Sequence, residues 1–427
     1  MGASVLTSRL RELVGVDPLR PVIERQALMS TRPLIQLADE LGGGVCEIEG
    51  GCCVMVDRWY TPDTTHGQQR IGAYAEMMRR HVNHVSVLGP SRGVPRLSDT
   101  ATLRFFDLET TGLAGGAGTY AFLVGCGTFE DGSFHTRQFF LTTYAAERPL
   151  LGAVARYLAN AELLVSFNGR TFDAPVLETR YLFHRLAVPF SGVAHLDMLH
   201  ASRRLWGGDE GCSLKVLEEM LAGVVRHGDI PGADIPARYV HYARTGDARP
   251  LGPVFEHNRL DLLSLAVLTS VAVRLVDDGA RGTRDGRECL GLGRLFERVG
   301  LDDRATACYA HVASHRAETC RDIRLEALRR LARRMRRDGR HRDAAAAWRQ
   351  ILGVGVDQHP AFREAVHALA VHHEHRLKDL PTARGLAIRA VVTAVSETDQ
   401  AQARHRLARL DRKLSANVER ADVLFEG

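Results

Sequence analysis

The stretch LRFFDLETTG, residues 103–112, gives the clearest indication of the fold of this chain. Its run of apolar residues is typical of a short strand inside a sheet. Successive side chains of a strand point to opposite faces, so Asp107 and Glu109 share one face. Two like charges side by side in an apolar setting are costly unless cations neutralise them. The stretch therefore predicts a cation site on an interior strand, followed by a tight turn from Thr110 where backbone can approach a substrate.

The segments after this strand alternate between strand and helix patterns. A turn at residues 130–132 joins the next two strands into a hairpin, and a long helix that is apolar almost all round ends the region. In chain order the segments are the strands TYAFLVGCGTF (119–129) and SFHTRQFFLTTY (133–144), the helix 147–158, the strand ELLVSF (162–167), a helix from Ala174 and the helix 254–277. Residues 101–280 are therefore predicted to form an α/β domain, a mixed sheet flanked by helices.

The first 100 residues form a separate module in which we recognise no chemistry. Its patterns predict a helix at Ser8–Val14, a Gly-rich β-prone stretch at 42–60, an amphipathic helix at Gln68–His81 and a linker from Pro90 to Pro95.

Residues 281–427 have helical patterns throughout, and the patterns repeat. Positions 39 residues apart hold alanine, at Ala305, Ala344 and Ala383, and an aromatic side chain, at Tyr309 and Trp348. Small residues let paired helices approach, and the aromatic ring fills the groove beside them. This all-α region resembles tetratricopeptide repeats, with a third unit that is expected to be a cap. An arginine ridge at 329–337 is either a solvent-facing surface or a contact for nucleic acid.

Two more acidic residues stand at element boundaries. In SFNGRTFDAP (166–175), a strand ends, a loop turns, and Asp173 opens a helix, a position that also suits a simple N-cap. In EHNRLD (256–261), His257 and Asp261 are four residues apart and share one helix face. Because that face is otherwise apolar, Asp261 is expected to point inward and to need a cation.

Four hard oxygen donors result: Asp107, Glu109, Asp173 and Asp261. Such donors suit Mg²⁺ or Mn²⁺ rather than zinc. Two of these ions can clamp a phosphodiester, one activating water and the other stabilising the departing oxygen. His257 would then take the proton from the attacking water, since its ordinary pKa is near neutral. A structural hydrogen bond or a substrate contact is the alternative role for His257.

The motifs FFDLETTGL, SFNGRTFDAP and EHNRLD, in this order, resemble the exonuclease motifs of the DEDD superfamily of 3′–5′ exonucleases. Over residues 102–270 the chain looks closer still to the bacterial YprB-type ribonuclease-H-like family. The stretches that carry this resemblance are GTYAFLVGCG, HLDMLHASRRLW, CSLKVLEEML, DIPGADIPARYVHYARTGD and HNRLDLLSLA. The resemblance implies a ribonuclease-H-like fold, the four carboxylates as metal ligands, and 3′–5′ exonuclease activity. A tetratricopeptide-like tail also occurs in such proteins.

The position of His257 departs from the superfamily pattern. DEDD enzymes with a catalytic histidine usually place it five residues before the last aspartate, and those with a tyrosine place that residue four before. Here a histidine stands at the tyrosine spacing, which leaves the subclass open.

Four residues are candidates for substrate contact: Thr110, Asn168, Lys215 and Asn258. Asn168 and Asn258 are also suited to orienting metal ligands. Turn formation is a further alternative for Asn168, and the start of a solvated helix is the alternative for Lys215. Asp197, in HLDMLH, is a possible additional acidic group near the site.

These patterns predict a metal-dependent nuclease that acts on DNA or RNA, with helical repeats available to a protein partner. Endonucleolytic cleavage at the same site is an alternative, as is a catalytically inactive scaffold that works through its repeats. The net charge of +5 has its basic excess in residues 281–427. No run of about 18 apolar residues and no signal-peptide pattern occurs, so we expect a cytoplasmic protein without a membrane span.

Overall fold

A computed structural model of the chain describes most of its length in two compact units, Met1–Asp277 and Asp278–Gly427. The described residues are 31–49, 51–89, 97–98, 101–112, 118–207, 211–315, 320–354 and 359–425. The predicted helix Ser8–Val14 and the linker Pro90 to Pro95 lie outside them. None of the described helices combines the length and the apolar character needed to cross a membrane.

Nine strands form in the described part of the first unit. They are β1 (Gly44–Ile48), β2 (Gly51–Tyr60), β3 (Thr65–His66), β4 (Gln69–Arg70), β5 (Leu103–Thr110), β6 (Ala121–Glu130), β7 (Ser133–Phe140), β8 (Leu163–Ser166) and β9 (Ala194–Asp197). Seven of them build one sheet in the order β1-β2-β7-β6-β5-β8-β9, and β3 pairs with β4. Neighbours are antiparallel from β1 to β5, whereas β5, β8 and β9 run parallel. The first predicted strand, β5, therefore lies inside a mixed sheet.

Local sequence explains the hairpin at the sheet centre. Asp131 and Gly132 join β6 to β7 with φ values of 48° and 77°. Two successive left-handed residues form the turn whose twist matches that of paired strands. On the side of β7 away from β6, the β-prone stretch of the first 100 residues forms β1 and β2. Asp57 of β2 accepts a hydrogen bond from Arg137 Nε of β7 at 2.7 Å. Residues 44–60 thus extend the sheet that carries Asp107.

Helices flank this sheet. They are α1 (Thr31–Glu40), α2 (Ile71–His81), α3 (Val85–Leu88), α4 (Glu147–Leu158), α5 (Asp173–Phe183), α6 (Met198–Leu205), α7 (Leu214–Ala222), α8 (Ile235–Thr245) and α9 (Gly252–Asp278). A fully buried ion pair joins α4 to α5, because the Arg180 guanidinium donates to both carboxylate oxygens of Glu147, Nε at 2.6 Å. Since α5 begins at Asp173, this pair also fixes the position of that aspartate.

The described part of the second unit is helical apart from its connecting turns. Its α-helices are α10 (Gly286–Arg298), α11 (Asp302–Ser314), α12 (Arg321–Arg337), α13 (His341–Val354), α14 (Pro360–His372), α15 (Leu380–Thr393) and α16 (Glu397–Phe425). The three repeated alanines are buried in α11, α13 and α15. A Cβ at Gly293 would lie 2.6 Å from the ring of Tyr309, so glycine permits that close helix contact. The predicted architecture, a mixed sheet flanked by helices and followed by an all-α region, is confirmed.

The arginine ridge of α12 is engaged in ion pairs within the second unit. Arg329 and Arg333 both donate to Glu364 of α14. Arg330 donates to Glu297 of α10 at 2.6 Å. These ion pairs join α12 to its neighbouring helices. They explain the presence of several of the ridge arginines without a contact to nucleic acid.

Candidate active site

Strand β5 places two carboxylates at the edge where parallel strands end. Asp107 and Glu109 extend from the carboxyl-terminal half of β5, and both are partly buried. Because β8 runs parallel to β5, the loop after β8 leaves the sheet at the same edge. That loop leads directly to Asp173.

The loop before Asp173 is shaped by close backbone contacts. Asn168 has a left-handed backbone with φ of 67°, and a Cβ at Gly169 would lie 2.8 Å from Asp173 Oδ2. The Asp197 carboxylate accepts the backbone N–H groups of Asn168 at 2.8 Å and Arg170 at 3.2 Å. It also caps α6 by accepting from the backbone of the second helix residue. Asp197 therefore holds the loop in place, and Asn168 forms its turn.

Helix α9 brings the third segment to the site. Asn258 is fully buried, and its Nδ2 donates to Asp107 Oδ2 at 2.9 Å. The Asn258 amide oxygen in turn accepts from Gln138 Nε2 at 2.9 Å. A Cβ at Gly125, the register partner of Asp107, would lie 2.1 Å from this oxygen, so only glycine leaves room for it. Through this hydrogen bond, Asn258 thus orients the Asp107 carboxylate.

The four predicted carboxylates lie close enough to perturb one another. Burial raises the pKa of Asp107 well above its ordinary value, and the charges of Asp261 and Glu109 raise it further. Burial also raises the pKa of Glu109, with contributions from Asp261 and Asp173. For Asp173, burial and the charges of Asp197 and Asp261 raise the pKa to about 7. The negative charge of this region is thus poorly compensated by the protein.

One arginine that the sequence analysis did not single out supplies part of the missing positive charge. Arg226, in the loop after α7, is 2% exposed, and its Nη1 lies 2.6 Å from Asp261 Oδ1. Its Nε and Nη2 bind both oxygens of the buried Glu218, at 2.6 and 2.8 Å. Ser264 donates a further hydrogen bond to Glu218. Arg226 therefore connects α7 to the Asp261 end of the site.

His257 also has a partner that the sequence analysis missed. Its Nδ1 lies 2.7 Å from Asp229 Oδ1, and its Nε2 lies 3.6 Å from Asp261 Oδ2. Asp229 in turn contacts Arg226 Nη1 at 3.3 Å. The bond to Asp229 fixes the orientation of the imidazole ring and directs Nε2 toward the carboxylates.

Two of the residues predicted to contact substrate, Thr110 and Lys215, are part of a turn and of a helix start. The Thr110 hydroxyl is buried and donates to the Gly112 carbonyl at 2.9 Å, which closes the turn after β5. Lys215 is exposed on the first turn of α7, and Ser213 caps that helix.

The donor set fits divalent cations of the hard class. Asp107, Glu109, Asp173 and Asp261 offer only carboxylate oxygens, as Mg²⁺ and Mn²⁺ prefer. The raised carboxyl pKa values indicate that the ionised carboxylates are destabilised by burial and by one another, and bound cations would relieve this destabilisation. In the described part of the chain, no three of the four bring ligand oxygens within 4.8 Å of one another. Coordination of one ion by three of these carboxylates therefore requires their side chains to move closer together.

We expect stabilisation by Mn²⁺ to increase with pH. The folded-state pKa of Asp173, about 7, exceeds the unfolded value of about 3.9, so between these values the metal-free fold binds more protons than the unfolded chain. Its free energy of unfolding therefore falls as the pH rises through that window. Because Mn²⁺ binds the deprotonated form, its apparent affinity should rise about tenfold per pH unit for each proton displaced. Melting temperatures with Mn²⁺ or EDTA, at about pH 5.5 and pH 8, measure this.

The Asp173→Asn variant is the control for this experiment. It lacks one of the titrating groups, so its Mn²⁺ response should depend less on pH. Equal Mn²⁺ stabilisation of the unaltered protein at both pH values would contradict the prediction.

Comparison with known proteins agrees with the fold. Residues 104–273 match a family model described as the RNase_H superfamily. The chain is also 29% identical over 320 residues to a Bacillus subtilis (strain 168) protein described as "Uncharacterized protein YprB", a match that covers 74% of this chain and 75% of the relative. Residues 104–273, which lie in the first unit, are thus similar to domains of the RNase H superfamily.

Proposed function

We propose that the chain is a divalent-metal-dependent nuclease, and more narrowly a 3′–5′ exonuclease. The observation that carries the proposal is the convergence of four carboxylates from β5, α5 and α9 at one edge of the sheet, where burial and mutual repulsion raise the pKa values of three of them. The 3′–5′ direction rests on the resemblance of the three motifs to DEDD exonucleases.

The carboxylates Asp107, Glu109, Asp173 and Asp261 would hold two Mg²⁺ or Mn²⁺ ions. Bound there, such ions supply charge neutralisation at the phosphate, activation of the attacking water and stabilisation of the leaving oxygen. Asn258 keeps one oxygen of Asp107 hydrogen-bonded, at 2.9 Å, and so sets the direction of the carboxylate. Arg226 holds Asp261 Oδ1, at 2.6 Å, and leaves Oδ2 on the side of His257.

His257 is the proposed general base. Its Nδ1 is bound to Asp229 at 2.7 Å, which leaves Nε2 as the nitrogen that accepts a proton from water. A carboxylate at Nδ1 also stabilises the imidazolium that forms when the proton arrives. This contact supports the role of His257 at a spacing to Asp261 that differs from that of histidine-containing DEDD exonucleases.

The proposal is tested by the products of hydrolysis. With Mn²⁺, the purified full chain should shorten 5′-labelled single-stranded DNA or RNA oligonucleotides one residue at a time and release nucleoside monophosphates. Circular single strands and oligonucleotides with a blocked 3′ end should resist.

Two other outcomes of this experiment would change the proposal. Cleavage of circular strands would replace the exonuclease with an endonuclease at the same site. Absence of hydrolysis on every substrate, together with no Mn²⁺ binding in calorimetry, would contradict the nuclease proposal and favour a scaffold that acts through its helical unit.

A further inference from the structure

A second group of metal-ligand side chains lies at the other end of α9 from the candidate active site. His81 ends α2, His84 stands three residues later in the following turn, and Asp277 is the penultimate residue of α9. In the described part of the chain, these three are the one group of His, Cys, Asp or Glu whose ligand atoms all lie within 4.8 Å of one another. The two histidines and the aspartate thus come from segments that are nearly 200 residues apart in the sequence.

Both imidazoles face the same carboxylate. His81 Nδ1 lies 3.5 Å from Asp277 Oδ2, and His84 Nε2 lies 3.0 Å from Asp277 Oδ1. The two rings are nearly parallel, with an interplanar angle of 18°. Ligand atoms around a tetrahedral zinc ion with bonds of about 2.0–2.1 Å are roughly 3.3 Å apart. The separations from the two imidazoles, each to a different oxygen of the Asp277 carboxylate, lie on either side of that value.

The surroundings hold the ligands in position and leave one side open. The His81 and His84 side chains are 21% and 25% exposed, whereas Asp277 is 46% exposed. Val82, which follows His81, and Val85, which follows His84, are both buried. The backbone under both rings is therefore fixed by packing, and a water molecule can reach the Asp277 side.

We infer that His81, His84 and Asp277 form a three-ligand site for a borderline transition-metal ion, namely Zn²⁺, with water as the fourth ligand. Two imidazoles and one carboxylate are the donors that zinc selects, whereas the all-carboxylate active site suits Mg²⁺ or Mn²⁺. Asp261 and Asp277 are 16 residues apart on one helix, which corresponds to about 24 Å. The zinc site is thus separate from the hydrolytic site and links α2 to α9. The inference does not depend on the proposed nuclease activity.

An ordinary ion pair is the competing explanation for the same contacts. A protonated histidine beside Asp277 would give these distances without any metal, and a partly exposed pair of this kind adds little stability. The two explanations differ in one measurable property, because only the metal site binds zinc with one equivalent per chain.

Zinc binding to the full-length protein tests the inference. Calorimetric titration with Zn²⁺ in excess Mg²⁺, which would compete for the carboxylate site, should show one tight equivalent. The His81→Ala/His84→Ala double variant should bind this zinc more than about 100-fold more weakly. Co²⁺ should give the visible absorption of a four-coordinate ion with the unaltered protein and lose it in the double variant.

The control variant removes another histidine pair. His311→Ala/His315→Ala deletes two neighbouring imidazoles of the second unit, whose ring centroids are 4.1 Å apart, and should leave the zinc equivalent in place. If the first double variant does not fold, Asp277→Asn keeps both imidazoles and should still weaken zinc binding at least about tenfold. Absence of a zinc equivalent in the unaltered protein, or its persistence in the His81 and His84 variants, would overturn the inference.

Discussion

Asp107→Asn is expected to abolish hydrolysis while making the metal-free protein more stable. The substitution removes a carboxylate from the metal-binding set, and a loss of about 4 kcal/mol in transition-state stabilisation corresponds to a decrease in rate of roughly a thousandfold. The same change removes one of the charges that repel each other at this edge. Activity and stability should therefore move in opposite directions.

The stability gain follows from the contacts of Asp107. Burial and the charges of Asp261 and Glu109 raise the pKa of this carboxyl well above its ordinary value, so its ionised form destabilises the metal-free fold. An asparagine keeps an oxygen that can accept from Asn258 Nδ2, and its own amide can donate toward a neighbouring carboxylate. In EDTA at about pH 8 we expect a higher melting temperature, by about 2–4 °C for each kcal/mol gained.

The exposed Asp63 provides the matched control. Its side chain is 87% exposed and pairs with Arg70, so Asp63→Asn should leave the rate and the melting temperature nearly unchanged. Differential scanning calorimetry and the oligonucleotide assay measure the two effects on the same preparations. An active Asp107→Asn protein would remove this carboxylate from the catalytic set, and a lower melting temperature would contradict the electrostatic argument.

The sequence predicted the carboxylates because their positions follow from local rules. Alternation along a strand placed Asp107 and Glu109 on one face, and helical periodicity put His257 beside Asp261. The predicted strands also paired as expected, since apolar runs and the Asp131-Gly132 turn specify the hairpin without help from the rest of the chain. Local pattern therefore identified the acidic groups of the candidate site and the histidine beside them.

The partners of these groups could not be predicted in the same way. Arg226 and Asp229 lie in an irregular loop after α7, where no periodicity indicates which side chain turns inward. Arginine is abundant in this chain, so its presence in the loop carried no signal. The sequence did identify Asn258, but it left open whether this side chain contacts substrate or a metal ligand. The contact with Asp107 is possible because Gly125, on a different strand, leaves room for the Asn258 amide. Such contacts depend on tertiary packing.

Arg226→Met is expected to destabilise the first unit strongly. Arg226 binds both oxygens of Glu218, and these two side chains are 2% and 0% exposed. A methionine has a similar length but no charge, so it would leave Glu218 buried and without its ion-pair partner, and Asp261 would lose its closest positive charge. Removal of one partner from a buried pair typically costs about 3–5 kcal/mol. Urea denaturation with and without Mn²⁺ measures the loss.

A second substitution distinguishes lost charge compensation from lost packing. Glu218→Gln in the Arg226→Met background removes the orphaned charge, keeps an oxygen for Ser264, and should restore part of the lost stability. Arg70→Met is the surface control, because the Arg70 side chain is 68% exposed and its loss should change the free energy of unfolding by less than about 1 kcal/mol. If the double variant is no more stable than Arg226→Met alone, packing rather than charge explains the role of Arg226. If Arg226→Met is itself as stable as the unaltered protein, Arg226 does not hold this side of the site together.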